Sequence, residues 1–275
     1  MNLSLLTFPT VSDIIFRRLS TRSLCEAAAE NGLVGLDMMV GEVRLHGVKK
    51  LAKLLPAYGL GLTCLIAYVP MTEFDFKRVT KKTEAALRIA SALSCRDIMI
   101  VPMGQFEAGR LVRRDKEKIF GSYVRGFSLA LSLCEKEGVR LSFEDTPTCL
   151  LPLSGTEECG RLLGEVPRLG LVYDTANMLA CGSDPLAFYE SLKARVTHVH
   201  LKDAEFVSKG QDLCSDGRYM RCCDFGKGEV DVRSLALRAA ENSDITMAIE
   251  YTPPKKHDKV AHSAHIRAFV DYLRG

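Results

Sequence analysis

Short apolar runs alternate with longer segments of helical period along the whole chain of 275 residues. Eight of these runs read as β-strands: 3–8, 33–38, 60–67, 97–102, 139–144, 169–174, 196–201 and 246–251. A strand that is followed repeatedly by a helix builds a parallel sheet, because parallel neighbours need a crossover connection. Eight such units without a linker predict an α/β fold, a closed (β/α)8 TIM barrel forming a single domain over residues 1–275.

The segments between the strands carry helix signals. Segment 21–29 begins with Thr and Ser, which favour helix starts, and segment 77–93 places its apolar residues on one stripe. Three glycines stand directly before strand candidates, where left-handed helix caps are common: Gly32, Gly59 and Gly138.

One connection, 204–228, is longer than the usual connection between a strand and the next helix of a barrel. Loops of this length without structure of their own are usually functional or disordered. Because the segment follows the seventh strand, it belongs on the face where barrel active sites form. We predict a lid over that face, with a tolerated insertion as the alternative.

Composition excludes several classes of protein. Hydrophobic residues make up 47% of the chain and the mean hydropathy is +0.03, which is ordinary for a soluble protein with a sizeable core. The net charge of +3 comes from 37 basic and 34 acidic residues that are interspersed, so no nucleic-acid partner is predicted. The basic pairs Arg113–Arg114 and Lys255–Lys256 read as solvated surface.

The ten cysteines and the N-terminal segment predict a cytoplasmic location. The cysteines are scattered and contain no Cys-x-x-Cys pair, which indicates reduced thiols rather than a disulfide framework. No basic segment precedes the first apolar residues, and no apolar run reaches about 18 residues, so neither a secretion signal nor a membrane span is expected. Assembly into a homo-oligomer is left open.

Polar residues stand at the ends of the last four strand candidates: Glu144, Asp174, His200 and Glu250. Side chains two apart in a strand share a face, and Glu144, Glu250 and His200 share theirs with the small or polar residues Ser142, Ala248 and His198. The intervening residues, Phe143, Val199 and Ile249, are large and apolar. The pattern predicts that the four polar residues point into the barrel at one end.

Several carboxylates gathered at a barrel mouth would repel one another unless a cation joined them. Three carboxylates and one imidazole suit a divalent metal, with Mn²⁺ favoured and Mg²⁺, Co²⁺ or Zn²⁺ as alternatives. Taken singly, each residue also has an ordinary structural interpretation as a helix cap, a salt-bridge partner or a core histidine. His200 is preferred over His198 as the ligand because it lies nearer the end of the strand.

The segments VRLSFED, GLVYDTANM, VTHVHLKD and MAIEY, with GKGEVD before the last, resemble the xylose isomerase-like superfamily. This superfamily contains sugar phosphate isomerases and epimerases as well as endonucleases of AP endonuclease family 2. The resemblance covers essentially the whole chain. It implies that Glu144, Asp174, His200 and Glu250 bind the metal and that Glu144 and Glu250 are also the catalytic acid/base pair.

The resemblance implies an isomerase or epimerase of a small carbohydrate, either a ketose or a sugar phosphate. The two glutamates would move a proton next to a carbonyl group while the metal stabilises the enediolate. A dehydratase of the inosose type would use the same first step, and a barrel that binds sugar without turnover is the alternative from another class. No nucleotide cofactor is predicted, because the phosphate-loop and dinucleotide-binding glycine patterns are absent.

Three residues near the predicted metal are the candidates for substrate binding: Asn177, Lys202 and His198. For Asn177 the alternative is a role in the turn after Asp174, and for Lys202 it is a salt bridge with Asp203. A phosphate group could be reached by basic residues after the strands, which are otherwise surface residues: Arg110, Arg218, Arg221 and Lys255.

The chain departs from its relatives at several positions. Ketose 3-epimerases carry His, Glu and Arg as substrate contacts where this sequence has Asn177, Leu150 and Phe206. The extra histidines of the three-zinc endonucleases are missing, and their places are taken by other residues: Cys64, Pro102, Asn177 and Cys222-Cys223-Asp224. The resemblance therefore favours metal-dependent sugar chemistry over DNA repair and leaves the particular sugar open.

Overall fold

Eight parallel strands close into a barrel in the computed structural model, which describes residues 1–102, 115–210 and 212–275. The strands in chain order are β1 (Asn2–Leu6), β2 (Gly35–Met39), β3 (Gly61–Tyr68), β4 (Asp97–Val101), β5 (Arg140–Glu144), β6 (Gly170–Asp174), β7 (Val196–Leu201), β8 (Asp203–Val207), β9 (Asp212–Leu213), β10 (Tyr219–Cys223) and β11 (Thr246–Ile249). The first seven and the last form the barrel, and β11 closes it against β1. The predicted (β/α)8 fold is confirmed, with strand bounds within two residues of those expected.

Helices surround the barrel. In the described chain they are α1 (Val11–Ile15), α2 (Thr21–Glu30), α3 (Val40–His46), α4 (Val48–Ala57), α5 (Phe76–Ala92), α6 (Lys116–Lys136), α7 (Thr156–Glu165), α8 (Pro185–Leu192), α9 (Val232–Ala239) and α10 (Lys259–Arg274). No helix within the described ranges is long and apolar enough to cross a membrane.

Local sequence signals explain the helix ends. The Ser20 hydroxyl accepts the Ser23 N–H at the start of α2, and Asp75 caps α5 in the same way through the Arg78 N–H. The glycines predicted to end α2, α4 and α6 adopt positive φ angles, namely 71° at Gly32, 68° at Gly59 and 65° at Gly138.

Two apolar layers follow from the alternation of side chains along the strands. Outward residues such as Phe143, Val199 and Ile249 pack in the large core between the sheet and the helices. A smaller cluster fills the barrel interior: Leu6, Cys64, Ile66, Met99, Val172 and Ala248. The inward direction predicted for the faces of β5, β7 and β11 that carry Ser142, His198 and Ala248 therefore agrees with the packing.

The long connection after β7 has regular structure of its own. It folds into an antiparallel sheet with the strand order β8, β10, β9, which we call the hairpin. Asp203 is fully buried and attaches the segment that follows the hairpin to the end of β7. Its carboxylate accepts the backbone N–H groups of Gly226 (2.9 Å), Gly228 (3.0 Å) and Val230 (3.1 Å). A Cβ at Gly228 would lie 2.3 Å from the Ala204 carbonyl oxygen, which explains a glycine there.

Candidate metal centre and cavity

The four strand-end residues meet at the carboxyl end of the barrel. Glu144 and Asp174 end β5 and β6, His200 is the penultimate residue of β7, and Glu250 follows β11 directly. One ligand atom from each residue can be chosen so that all four lie within 4.8 Å of one another. Glu144, His200 and Glu250 also line a cavity of about 340 Å³ at this end.

The atoms of this cluster have the chemistry of a divalent-metal site. Asp174 uses Oδ1 to accept the N–H groups of Ala176 (2.8 Å) and Asn177 (3.0 Å), whereas its buried Oδ2 has no hydrogen-bond partner. His200 Nδ1 lies 2.5 Å from Glu144 Oε1. Ligands on opposite sides of one ion are about 4 Å apart, so the four residues fit a small cation with oxygen and imidazole ligands.

Lys202 places its ammonium group beside this cluster. Its Nζ donates to Asn177 Oδ1 (3.0 Å) and lies 3.4 Å from Glu250 Oε1 and 3.8 Å from Asp174 Oδ2. Burial disfavours the charged amine, but the carboxylates of Asp174 and Glu250 outweigh it and raise the pKa of Lys202 well above its usual value. The alternative salt bridge with Asp203 is not formed, because Asp203 instead anchors the hairpin.

The carboxyl groups of the site differ in their affinity for protons. Burial, which outweighs the charge of Lys202, raises the pKa of Asp174 to about 7, and Glu250 and Glu144 add to the increase. Burial also acts on Glu250, but there the charges of Lys202 and His200 prevail and lower the pKa. Lys202 and His200 therefore favour the ionised form of Glu250.

Asp37, in the middle of β2, is a site residue that the sequence patterns missed. It is fully buried beneath the cavity, where Oδ2 lies 2.6 Å from His198 Nε2 and 3.6 Å from His200 Nε2. Its Oδ1 accepts the hydroxyl groups of Ser4 (3.0 Å) and Thr63 (2.5 Å). A carboxylate inside the apolar run LVGLDM is the signal that could have identified it.

The electrostatics of Asp37 and His200 are linked. Burial would raise the pKa of Asp37, but His198 and His200 overcome that effect and lower it. Burial would lower the pKa of His200, yet Glu144 and Asp37 raise it well above the usual value. The carboxylates around His200 therefore favour a positive charge at this position, and the same carboxylates would attract a metal cation.

His198 and Asn177, two of the substrate-binding candidates, are both held by protein groups. His198 is buried beneath the cavity rather than on its wall and contacts Asp37. Asn177 lines the cavity, where its Nδ2 donates to the Asp145 carbonyl oxygen (2.9 Å) and its Oδ1 accepts the Lys202 ammonium group. Asn177 thus orients Lys202 in this structure.

Three further ionisable residues of the cavity wall were not singled out from the sequence: Tyr68, Asp145 and Asp212. Asp145 is buried beside Asp174, and burial together with the charges of Asp174 and Glu144 raises its pKa well above the usual value. Asp212 belongs to β9, so the hairpin contributes a carboxyl group to the cavity wall. Only the tertiary fold brings Asp212 near Glu250.

The basic residues considered for phosphate lie away from the cavity or outside the described part of the chain. Arg218 pairs with Asp216, Arg221 pairs with Glu205, and Lys255 is exposed. None of these three lines the cavity. Arg110, Arg113 and Arg114 lie outside the described residues.

Comparison with known proteins identifies relatives of this fold. The family model described as xylose isomerase-like TIM barrel matches residues 25–269. No curated protein matches the sequence significantly.

Solved structures match along essentially the whole chain. A probable 3-DHS dehydratase, AsbF, from Bacillus anthracis has 17% identity and a TM-score of 0.76, with 100% of this chain and 99% of that chain covered. The IOLI protein, solved with a bound zinc atom, has 19% identity and a TM-score of 0.73, covering 99% of this chain and 98% of that one. D-Psicose 3-epimerase from Clostridium cellulolyticum H10, solved with D-tagatose, has 12% identity and a TM-score of 0.71, covering 100% and 98%. At these identities the likeness is one of fold.

Proposed function

Because the chain belongs to the xylose isomerase-like TIM barrel family, we propose that it is a divalent-metal-dependent isomerase or epimerase of a small carbohydrate. The observation that carries this proposal is the meeting of Glu144, Asp174, His200 and Glu250 within 4.8 Å at the mouth of the barrel. Two of these residues are glutamates that face the cavity, which is the arrangement needed to handle protons on two sides of one substrate.

The four residues would hold the metal, for which Mn²⁺ is the first choice and Mg²⁺, Co²⁺ and Zn²⁺ are the alternatives. When bound, the metal would supply a Lewis acid that stabilises negative charge on the substrate oxygens. The Oδ2 atom of Asp174, which has no hydrogen-bond partner, and the Nδ1 atom of His200 beside Glu144 support this ligand set.

The two glutamates would divide the proton transfer. One carboxylate takes the proton from the carbon next to the carbonyl group, and the electron pair of the broken C–H bond moves towards the carbonyl oxygen. The other glutamate, in its protonated form, returns a proton to the opposite face of that carbon. Lys202, 3.4 Å from Glu250 Oε1, keeps the Glu250 carboxylate ionised and is placed to donate a hydrogen bond to a substrate oxygen.

Single Glu144→Gln and Glu250→Gln variants of the Mn²⁺-loaded protein test this division. We expect net epimerisation to fall by roughly 100-fold or more in each variant, since one proton carrier is removed. Each variant should still exchange deuterium from solvent into one of the two epimers, and the two variants should retain opposite epimers. Mass spectrometry of a ketose panel measures the exchange, and Glu229→Gln, at an exposed residue, is the matched control.

Metal content separates the roles of the glutamates. A variant that has merely lost the metal would lose exchange with both epimers, whereas a variant that lacks one base keeps exchange with one. Net conversion that survives both substitutions would show that the acid/base assignment is wrong. Exchange accompanied by loss of water would identify a dehydratase, and tight sugar binding without exchange would identify a binding protein.

A further inference from the structure

The wall of the cavity is divided sharply by polarity. Among the described lining residues, the half built by the ends of β1 to β4 is apolar apart from the phenol hydroxyl group of Tyr68: Leu6, Met39, Ile66, Met99 and Val101. The half built by the later strands and by β9 is polar and mostly acidic, and it includes Glu144, Asp145, Lys202, Asp212 and Glu250. A substrate in this cavity therefore meets hydrogen-bonding groups on one side and hydrocarbon on the other.

The apolar half is a fixed part of the barrel. Leu6, Ile66 and Met99 are buried and belong to the apolar cluster inside the barrel, while Met39 and Val101 pack against that cluster. These side chains project from strands, so they cannot turn away to admit polar groups without disturbing the barrel interior. The side chains of Leu6, Ile66 and Val101 contain no atom that could satisfy a hydroxyl group.

This division has a direct consequence for the substrate. A hydroxyl group placed against the apolar half would lose its hydrogen bonds to water and gain none, whereas a methyl or methylene group would gain from leaving water. A free sugar carries a hydroxyl group on almost every carbon. Its end farthest from the metal would therefore be poorly matched to this wall.

A phosphate group would fit the wall of this cavity still less well than a hydroxyl group. Among the described residues that line the cavity, Lys202 is the only lysine or arginine. Its ammonium group donates to Asn177 and lies 3.4 Å from Glu250 Oε1, so its positive charge is already offset within the protein. The neighbouring carboxylates of Glu144 and Glu250 would repel a phosphate dianion.

We propose that the substrate is an unphosphorylated hydroxyketone that carries a hydrocarbon portion, such as a deoxygenated carbon, on the side away from its carbonyl and hydroxyl groups. The polar edge lies against Glu144, Lys202 and Glu250, and the hydrocarbon portion lies against Leu6, Ile66 and Met99. This inference rests on the proposed function, because it assumes that the acidic half is where the chemistry occurs. The cavity of about 340 Å³ sets the size of the substrate at that of a small metabolite.

Three probes that differ only at the far end of the molecule test the proposal: a free ketohexose, its 6-deoxy form and its 6-phosphate. Deuterium incorporation next to the carbonyl group is measured with the Mn²⁺-loaded protein. We expect the kcat/KM for exchange of the 6-deoxy compound to exceed that of the parent ketohexose by about tenfold or more, with the phosphate slower than both.

The Ile66→Thr variant places a hydroxyl group in the apolar wall and removes one methyl group. It should reduce the preference for the deoxy compound to about threefold or less, because the substrate hydroxyl then has a partner. Ile100→Thr makes the same change on the outward face of β4, in the core between sheet and helices, and should keep the wild-type preference.

The outcomes separate the two proposals. Exchange of the ketohexose or its phosphate at least as fast as that of the deoxy compound overturns the inference about the substrate and leaves the proposed function standing. Absence of exchange with all three probes contradicts the proposed function, and the inference falls with it. Wild-type protein alone gives both results, so neither depends on whether a variant folds.

Discussion

At the scale of single residues, Asp37 and His200 show how one buried carboxylate can orient a proposed metal ligand. The Oδ2 atom of Asp37 lies 3.6 Å from His200 Nε2, on the side of the ring opposite Nδ1 and Glu144. A proton on Nε2 would be favoured by Asp37, which leaves the Nδ1 lone pair free for a cation. Asp37 is itself held by the hydroxyl groups of Ser4 and Thr63 and by His198.

We expect Asp37→Asn to weaken Mn²⁺ binding by about 10- to 100-fold, because an amide orients the imidazole less well than a carboxylate. Isothermal titration calorimetry measures the affinity, and ¹⁵N spectra of the histidines report which ring nitrogen carries the proton. Ser4→Ala removes a contact to the other oxygen of Asp37 and is the control, with an expected change of less than about threefold. Unchanged affinity and tautomer in Asp37→Asn would remove Asp37 from this role.

At the scale of elements, the hairpin of β8, β9 and β10 depends on one side chain. Asp203 joins the end of β7 to the GKGEVD segment by accepting three of that segment's backbone N–H groups. The hairpin in turn brings Asp212 to the cavity wall. The contacts of Asp203 therefore help to hold Asp212 in the cavity wall.

Replacing Asp203 by Ala should lower the free energy of unfolding by about 3 kcal/mol, because several backbone donors lose their acceptor. Urea unfolding followed by circular dichroism measures the change. Glu229→Ala alters an exposed side chain of the same segment and should change the free energy by less than about 0.5 kcal/mol. A loss below about 1 kcal/mol in Asp203→Ala would mean that other contacts hold the hairpin.

At the scale of the whole molecule, the barrel gathers acidic groups from the ends of neighbouring strands into a largely buried space. Glu144, Asp174 and Glu250 come from three strands, and their mutual repulsion is offset within the protein by Lys202 and His200. A bound divalent cation would offset it further. Metal binding should therefore appear as stability of the entire barrel.

Mn²⁺ at about 100 times its dissociation constant should stabilise the protein by about 2.7 kcal/mol. For a chain of this length the melting temperature should rise by about 5 °C, and EDTA should reverse the rise. Differential scanning calorimetry measures both. Asp174→Asn, which alters a proposed ligand, should show no such rise, and an equal rise in this variant would indicate metal bound elsewhere.

The order and type of the barrel elements could be predicted from the sequence because they depend on local properties. Alternating apolar residues define the strands, and glycines and capping residues define the helix ends. Convergence of Glu144, Asp174, His200 and Glu250 could also be anticipated, since the carboxyl ends of parallel strands share one face of a barrel. That they bind a metal stays a prediction.

Contacts between distant segments could be decided only by the tertiary structure. The meeting of Asp37 with His198, the preference of Lys202 for Asn177 and Glu250 over its neighbour Asp203, and the arrival of Asp212 from the hairpin join residues with no common local pattern. The apolar wall facing the carboxylates is likewise assembled from four strands. Sequence periodicity specifies which way a side chain points along its own strand, but closure of the barrel determines what it meets.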